Sequence, residues 1–96
     1  MLNNKQKKYL RAEANHLRPL FQLGKDGIGF HFIKSLDDAL EVHELVKINL
    51  LKTAPISTNE AAIECASQTN SEIVQTIGKT MIFYRKNKNT RFQLPK

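Results

Sequence analysis

Arg18-Pro19-Leu20-Phe21-Gln22-Leu23 runs into Gly24-Lys25-Asp26-Gly27, and that into Ile28-Gly29-Phe30-His31-Phe32-Ile33. Proline pushes the residue before it out of the helical region, so 18–23 reads as a short extended strand. Phe32, Ile33, Leu36, Ala39 and Leu40 then recur at helical spacing behind Gly29, which stands at the cap position. Between strand and helix lies a Gly-x-x-Gly turn holding a lysine. Glycines in such a turn reach positive φ and bring the backbone close to a ligand with no Cβ in the way. The helix behind it directs its leading N–H groups and the positive end of its dipole at the loop. An anion is the ligand this arrangement suits. Two glycines near a strand end also make an ordinary tight turn, so the flanking sequence has to decide.

Downstream, Glu44-Leu45-Val46-Lys47-Ile48-Asn49-Leu50-Leu51 alternates around Val46, Ile48 and Leu50 and reads as a second strand. Strand, helix, strand makes a crossover unit with parallel strands. Pro55 breaks the chain, and Ser57 with Glu60 forms a capping box for a third helix whose Ala62, Ile63, Ala66 and Cys65 are expected to face inward. Asn70 is placed to end it. Glu72–Ile77 and Thr80–Arg85 are the third and fourth strands, joined by a two-residue reversal at Gly78-Lys79. Upstream, Asn3 or Asn4 caps a first helix, with Gln6 completing a capping box after Asn3. Leu10, Ala14 and Leu17 form its apolar stripe, Lys7, Lys8, Arg11 and Asn15 an adjacent one, and Pro19 is expected to stop it. His16 is expected near its C-terminal end, meeting the last carbonyls. Lys86–Lys96 is polar and basic, either a short strand around Phe92 and Leu94 or a loose tail. The whole, residues 1–96, reads as one α/β domain: a two-layer sandwich in the order helix, strand, helix, strand, helix, strand, strand, on a four-stranded mixed sheet.

The net charge of +6 is segregated: +5 over residues 1–34, −5 over 35–77 and +6 over 78–96. If the fold brings the two ends to one face, the molecule has the footprint of a polyanion binder. No apolar run approaches the ~20 residues of a membrane span, and no signal-peptide pattern opens the chain. A lone Cys65 and the absence of a Cys/His cluster point to a cytoplasmic, metal-free protein with no cofactor. His16, His31 and His43 have no metal-ligand spacing and no nucleophile motif beside them. Asp37 and Asp38 diverge on their helix. Gly78-Lys79-Thr80 lacks the earlier glycine of a phosphate-binding P-loop. No enzymatic site is expected.

A Gly-x-x-Gly loop ahead of a helix is how KH-type modules clamp a nucleotide backbone. The chain as a whole resembles a bacterial stand-alone CRM domain, the chloroplast RNA splicing and ribosome maturation module, of the YhbY type. The likeness is carried by Lys5-Gln6-Lys7 with Leu10-Arg11 and His16-Leu17, by Leu23–Gly27, by Asp38–Lys47, and by Ile77-Gly78-Lys79-Thr80 leading to Tyr84-Arg85. It covers nearly the whole chain. The resemblance implies a fold similar to the C-terminal domain of translation initiation factor three. It also implies RNA binding without catalysis, with precursors of the large ribosomal subunit as the partner and the loop Gly24, Lys25, Asp26, Gly27 at the contact surface. Lys5, Lys7, Lys8 and Arg11 would extend the track, and Lys79, Arg85 and Lys86 would complete it, in a monomer with no membrane partner. The chain departs from the family where a Thr-Glu-like pair is common and Gly29-Phe30 stands instead; glycine for a hydroxyl cap costs only a few tenths of a kcal/mol. Phe30 itself either folds back as a hydrophobic staple or offers a stacking surface to a base. Two other readings remain open at this point: an indiscriminate DNA-binding, nucleoid-type protein, and a protein-interaction domain working through the acidic stretch that includes Glu60 and Glu64.

Overall fold

Side-chain and glycine caps set the helix boundaries in the computed structural model, which describes residues 2–88, 90 and 92–95. The Asn3 carboxamide accepts from the Gln6 N–H (2.8 Å) while the Gln6 side chain accepts from the Asn3 N–H (3.0 Å), and α1 (Asn4–Ala14) begins there. It ends four residues before Pro19, at an Asn15 cap, so proline is not what stops it. His16 therefore lies beyond the helix. The carbonyls of Ala14 and Leu17 are instead approached by the Lys47 ammonium, at 3.5 Å each. β1 is Phe21–Leu23, and α2 (Phe30–His43) starts after Gly29 as expected. β2 is Leu45–Leu50, one residue shorter at each end than the alternation suggested. Glu44 is lost to the strand because it takes up φ +68° as the cap that ends α2.

For α3 (Thr58–Thr69), Ser57 Oγ accepts from the Glu60 N–H (3.2 Å) and donates to Glu60 Oε1 (2.9 Å). The glutamate thus closes on the hydroxyl rather than on the cap's own N–H. Asn70 ends the helix in the left-handed region (φ +53°), a conformation asparagine tolerates better than most residues. β3 (Glu72–Ile77) and β4 (Thr80–Tyr84) form the hairpin over Gly78, itself at φ +57°.

The sheet order is β1-β2-β4-β3, with β1 and β2 parallel and the other pairings antiparallel. Alternation along β4 separates two cores. Met81 and Phe83 pack with Val46, Ile48 and Leu50 against Leu36, Ala39 and Leu40 of α2 and Ala61, Ala62 and Cys65 of α3. Ile82 and Tyr84 face the other way, with Leu45 and Val74, onto Leu10 and Ala14 of α1. The expected two-layer sandwich is thus formed by α2 and α3, and α1 lies across the far face. Phe92 and Leu94 join α1 there; no strand forms around them among the described residues, and Asn89, Arg91 and Lys96 of that segment lie outside those residues. Ile63, expected inside, is 64% exposed. On α3 the inward positions run Ala61, Ala62, Cys65, Thr69, and Ile63 falls on the opposite side.

Candidate functional site

The glycine loop is a closed turn: the Gly27 N–H donates to the Gly24 carbonyl at 3.0 Å. Gly27 has φ +69°, and a Cβ there would also sit 3.4 Å from Pro55. Gly24 does not share the left-handed conformation; a Cβ on it would touch Leu51 at 3.4 Å, so its place reflects proximity to the turn after β2. The loop leads to the N-terminus of α2, which has no side-chain cap and no acid in its first turn. Loop and helix start border a cleft of about 430 Å³, whose lining includes Gly24, Asp26, Gly27, Gly29, Phe30 and His31. Leading helix N–H groups and a glycine-rich wall suit an anion; the Asp26 carboxylate is the one acidic group in that lining.

Strand register fixes what else stands at this end of the sheet. Leu23 pairs with Leu50, and the Leu51 N–H donates to the Leu23 carbonyl at 2.9 Å. The next residue is Lys52, exposed in a turn closed by the Ala54 N–H on the Leu51 carbonyl (3.0 Å). On the other side of β2, the Lys79 carbonyl accepts from the Leu50 N–H at 2.6 Å. Lys25, Lys52 and Lys79, all exposed, therefore stand at one end of the sheet, together with the exposed apolar residues Phe30, Leu51 and Ile77. Sequence reading missed Lys52 because it stands in the acidic middle third of the chain. Only the β1–β2 pairing brings it to the loop.

The remaining residues expected at the site stand elsewhere. Tyr84 pairs with Leu45, so Arg85 and Lys86 leave the sheet at the opposite end, the length of β2 away, about 17 Å. Lys86 borders a cleft of about 420 Å³ with Leu2, Gln6 and Leu94, and Gln6 Nε2 donates to the Pro95 carbonyl at 3.0 Å. The start of α1, with exposed Lys5 and Lys8 and half-buried Lys7, thus meets the other end of the chain, away from the glycine loop, while half-buried Arg11 lies in the last turn of that helix. The single track expected from loop through α1 to Lys86 is split between the two ends of the sheet.

Arg85 is committed to the protein. Its Nη1 donates to Asp37 Oδ1 (2.6 Å) and to the Thr69 carbonyl (2.8 Å), and its Nη2 to the Asp37 carbonyl (3.0 Å) and Glu41 Oε2 (3.4 Å). One guanidinium ties α2 to the end of α3, a role its basic neighbours in sequence gave no hint of. Asp38, for its part, pairs with Lys34 at 3.8 Å on the surface. Buried Glu44 accepts from the Tyr84 hydroxyl (2.8 Å) and from Thr90 Oγ1. Burial first, and then the hydrogen bond to Glu44, pushes the Tyr84 phenol up to about 12. Burial, with Glu64 adding to it, pushes the Cys65 thiol up to about 12 as well, which leaves no thiolate for nucleophilic chemistry near neutral pH. Among the described residues no group of three or more His, Cys, Asp or Glu could hold a metal ion, and no helix is long and apolar enough to cross a membrane.

Comparison with known proteins agrees with this architecture. The chain is 43% identical to a hypothetical protein of Staphylococcus aureus solved in solution, with a TM-score of 0.84, over 99% of this chain and 100% of that one. It is 41% identical to the Probable RNA-binding protein YqeI of Bacillus subtilis, over 99% of this chain and all of the relative. It is 33% identical to an RNA-binding protein of Haemophilus influenzae, over 99% and 96% of the two chains. The family model described as the CRS1/YhbY (CRM) domain matches residues 2–85. With that match and those relatives, the chain belongs to the CRS1/YhbY (CRM) domain family.

Proposed function

We propose that this protein binds RNA without catalysing a reaction on it, and that its target is ribosomal RNA of the large subunit or its precursor, met in the cytoplasm during assembly. The names of its relatives support RNA as the partner. The observation that carries the site is the placement of Lys25, Lys52 and Lys79 at the same end of the sheet as the glycine loop and a helix start with no side-chain cap. Phosphate oxygens would take the loop and leading helix N–H groups, and the three ammonium groups would neutralise neighbouring phosphates along the strand. Each neutralised phosphate contributes about 0.7–0.9 to the slope of log K against log salt.

The test is a salt titration of binding to large-subunit ribosomal RNA fragments, with duplex DNA of equal length as competitor. RNA is expected to win by tenfold or more, about 1.4 kcal/mol. Lys25→Glu is expected to weaken binding and flatten the slope while leaving thermal unfolding in place. Equal competition by DNA would favour an indiscriminate nucleic-acid binder. Binding of neither would turn attention to α3, where exposed Ile63 sits with Glu60 and Glu64 around a shallow cleft suited to a protein partner.

A further inference from the structure

Phe30 is 76% exposed, the largest fraction among the exposed large apolar side chains. It is the first residue of α2, in the lining of the glycine-loop cleft, so it does not fold back onto the core as a staple. Phe32, two positions on, does pack: its ring meets Phe21 edge to face at 6.1 Å and joins the main core. The aromatic that the core needs is therefore Phe32, and packing gives no reason for Phe30. Its ring instead stands against the imidazole of His31, centroids 5.6 Å apart and planes at 74°, an edge-to-face contact that steadies the ring and leaves it open to solvent. Exposing a phenyl ring to water is unfavourable on its own. At this spot it stands beside a helix start and lysines suited to phosphate.

We propose that Phe30 stacks on an unpaired base of the RNA whose backbone lies over the Gly24–Gly27 loop, so that the site takes single-stranded or bulged nucleotides in preference to duplex. The inference rests on the RNA-binding reading given above. Its physical basis is that a base inside an A-form helix is covered on both faces by its neighbours, whereas a splayed base offers a whole π-face to an aromatic ring. A nucleotide with its phosphate on the loop and its base on Phe30 would fill the cleft from Gly27 to the start of α2. Stacking is tolerant of base identity, so Phe30 confers a preference for unpaired structure and little preference for sequence.

The protein contains no tryptophan, so Phe30→Trp places a single fluorescent reporter at the site. Single-stranded RNA is expected to quench its emission, and a self-complementary duplex of the same length is not. Phe30→Ala is expected to weaken single-strand binding about tenfold, within the range for loss of one stacked base. The salt slope should not change, because no charge is removed. Phe30→Leu keeps apolar bulk without a π-face and should bind as weakly as the alanine variant. Full single-strand affinity in Phe30→Leu, or a tryptophan signal that does not tell single strand from duplex, overturns the stacking role while leaving the RNA-binding reading intact. Failure of the unmodified protein to bind either RNA overturns that reading itself. Since the side chain is exposed, unfolding of all three variants should coincide with that of the parent, and a large shift would mark Phe30 as structural and overturn the proposal.

Discussion

Glu44 and Tyr84 show how single side chains are tied to the fold. The carboxylate is buried, its backbone sits at φ +68°, and the Tyr84 hydroxyl bonds it at 2.8 Å. A non-glycine residue in that conformation costs on the order of 1–3 kcal/mol and persists only where its surroundings hold it. Because Tyr84 has its phenol raised from 10.0 to about 12, the folded chain resists losing that proton more than the unfolded chain does. The stability it contributes is fully present below about pH 10 and is lost as pH rises through about 12. With Tyr9 replaced by phenylalanine, Tyr84 is the single remaining tyrosine, and its ultraviolet titration should show a midpoint near 12 in the folded protein, falling to near 10 in denaturant. A midpoint near 10 in both would mean the hydroxyl is not held as described. Tyr84→Phe should cost about 1.5–3 kcal/mol, the range for a hydrogen bond to a charged group. The sequence made some residues legible and not others for one reason. Asn3, Gln6, Gly29, Ser57 and Asn70 act on backbone within four positions of themselves, so their spacing is their function. Glu44 and Tyr84 stand 40 positions apart, and no local pattern couples them.

Among elements, the two helices on the main face are held together by one side chain as well as by packing. Arg85 reaches from the end of β4 to Asp37 on α2 and to the last carbonyl of α3, at Thr69. Its carboxylate partners are more than half exposed, which discounts the ionic part, but the contact to the Thr69 carbonyl is charge-assisted and partly shielded. Arg85→Met, which keeps much of the stem, should therefore lose about 1–2 kcal/mol. For a domain of this size that lowers the thermal midpoint by roughly 4–16 °C, and an unchanged midpoint would show the clamp to be incidental. Element order and type were readable as far as β4, because periodicity and caps are local, whereas the segment from Lys86 onward has no periodicity to read. The side of the sheet on which each helix packs was not. α1 carries an apolar stripe like α2 and α3, and only the register of Tyr84 with Leu45 and of Ile82 with Lys47 creates the second face that receives it. Likewise, helical spacing alone leaves Ile63 as good a core position as Ala61.

At the scale of the molecule, charge is distributed by topology rather than by sequence block. Lys25 and Lys79 come from the first and last thirds of the chain yet share one sheet end, while Lys79 and Lys86, seven positions apart, stand at opposite ends. Under the proposed function, Lys79→Glu should flatten the salt dependence of RNA binding by about one unit of slope or more, and Lys86→Glu should change it less. Equal effects would mean that the RNA wraps both ends of the sheet. The segregation of charge was visible in the sequence, but its assembly into a site was not, since that depends on which strands neighbour which. The order β1-β2-β4-β3 has one more consequence, for the way the chain is made. The strand that stands between β2 and β3 is synthesised after both of them, and it carries Met81 and Phe83, both inaccessible to solvent in the finished core. Until residue 84 has left the ribosomal exit tunnel, a nascent chain has the helices and three strands but lacks the one that joins them, so vectorial synthesis cannot complete this core in stages. The β3–β4 hairpin, closed by two residues at Gly78-Lys79, joins strands that are neighbours in sequence and can dock on β2 as a unit, so completion of the core waits for the whole hairpin to emerge.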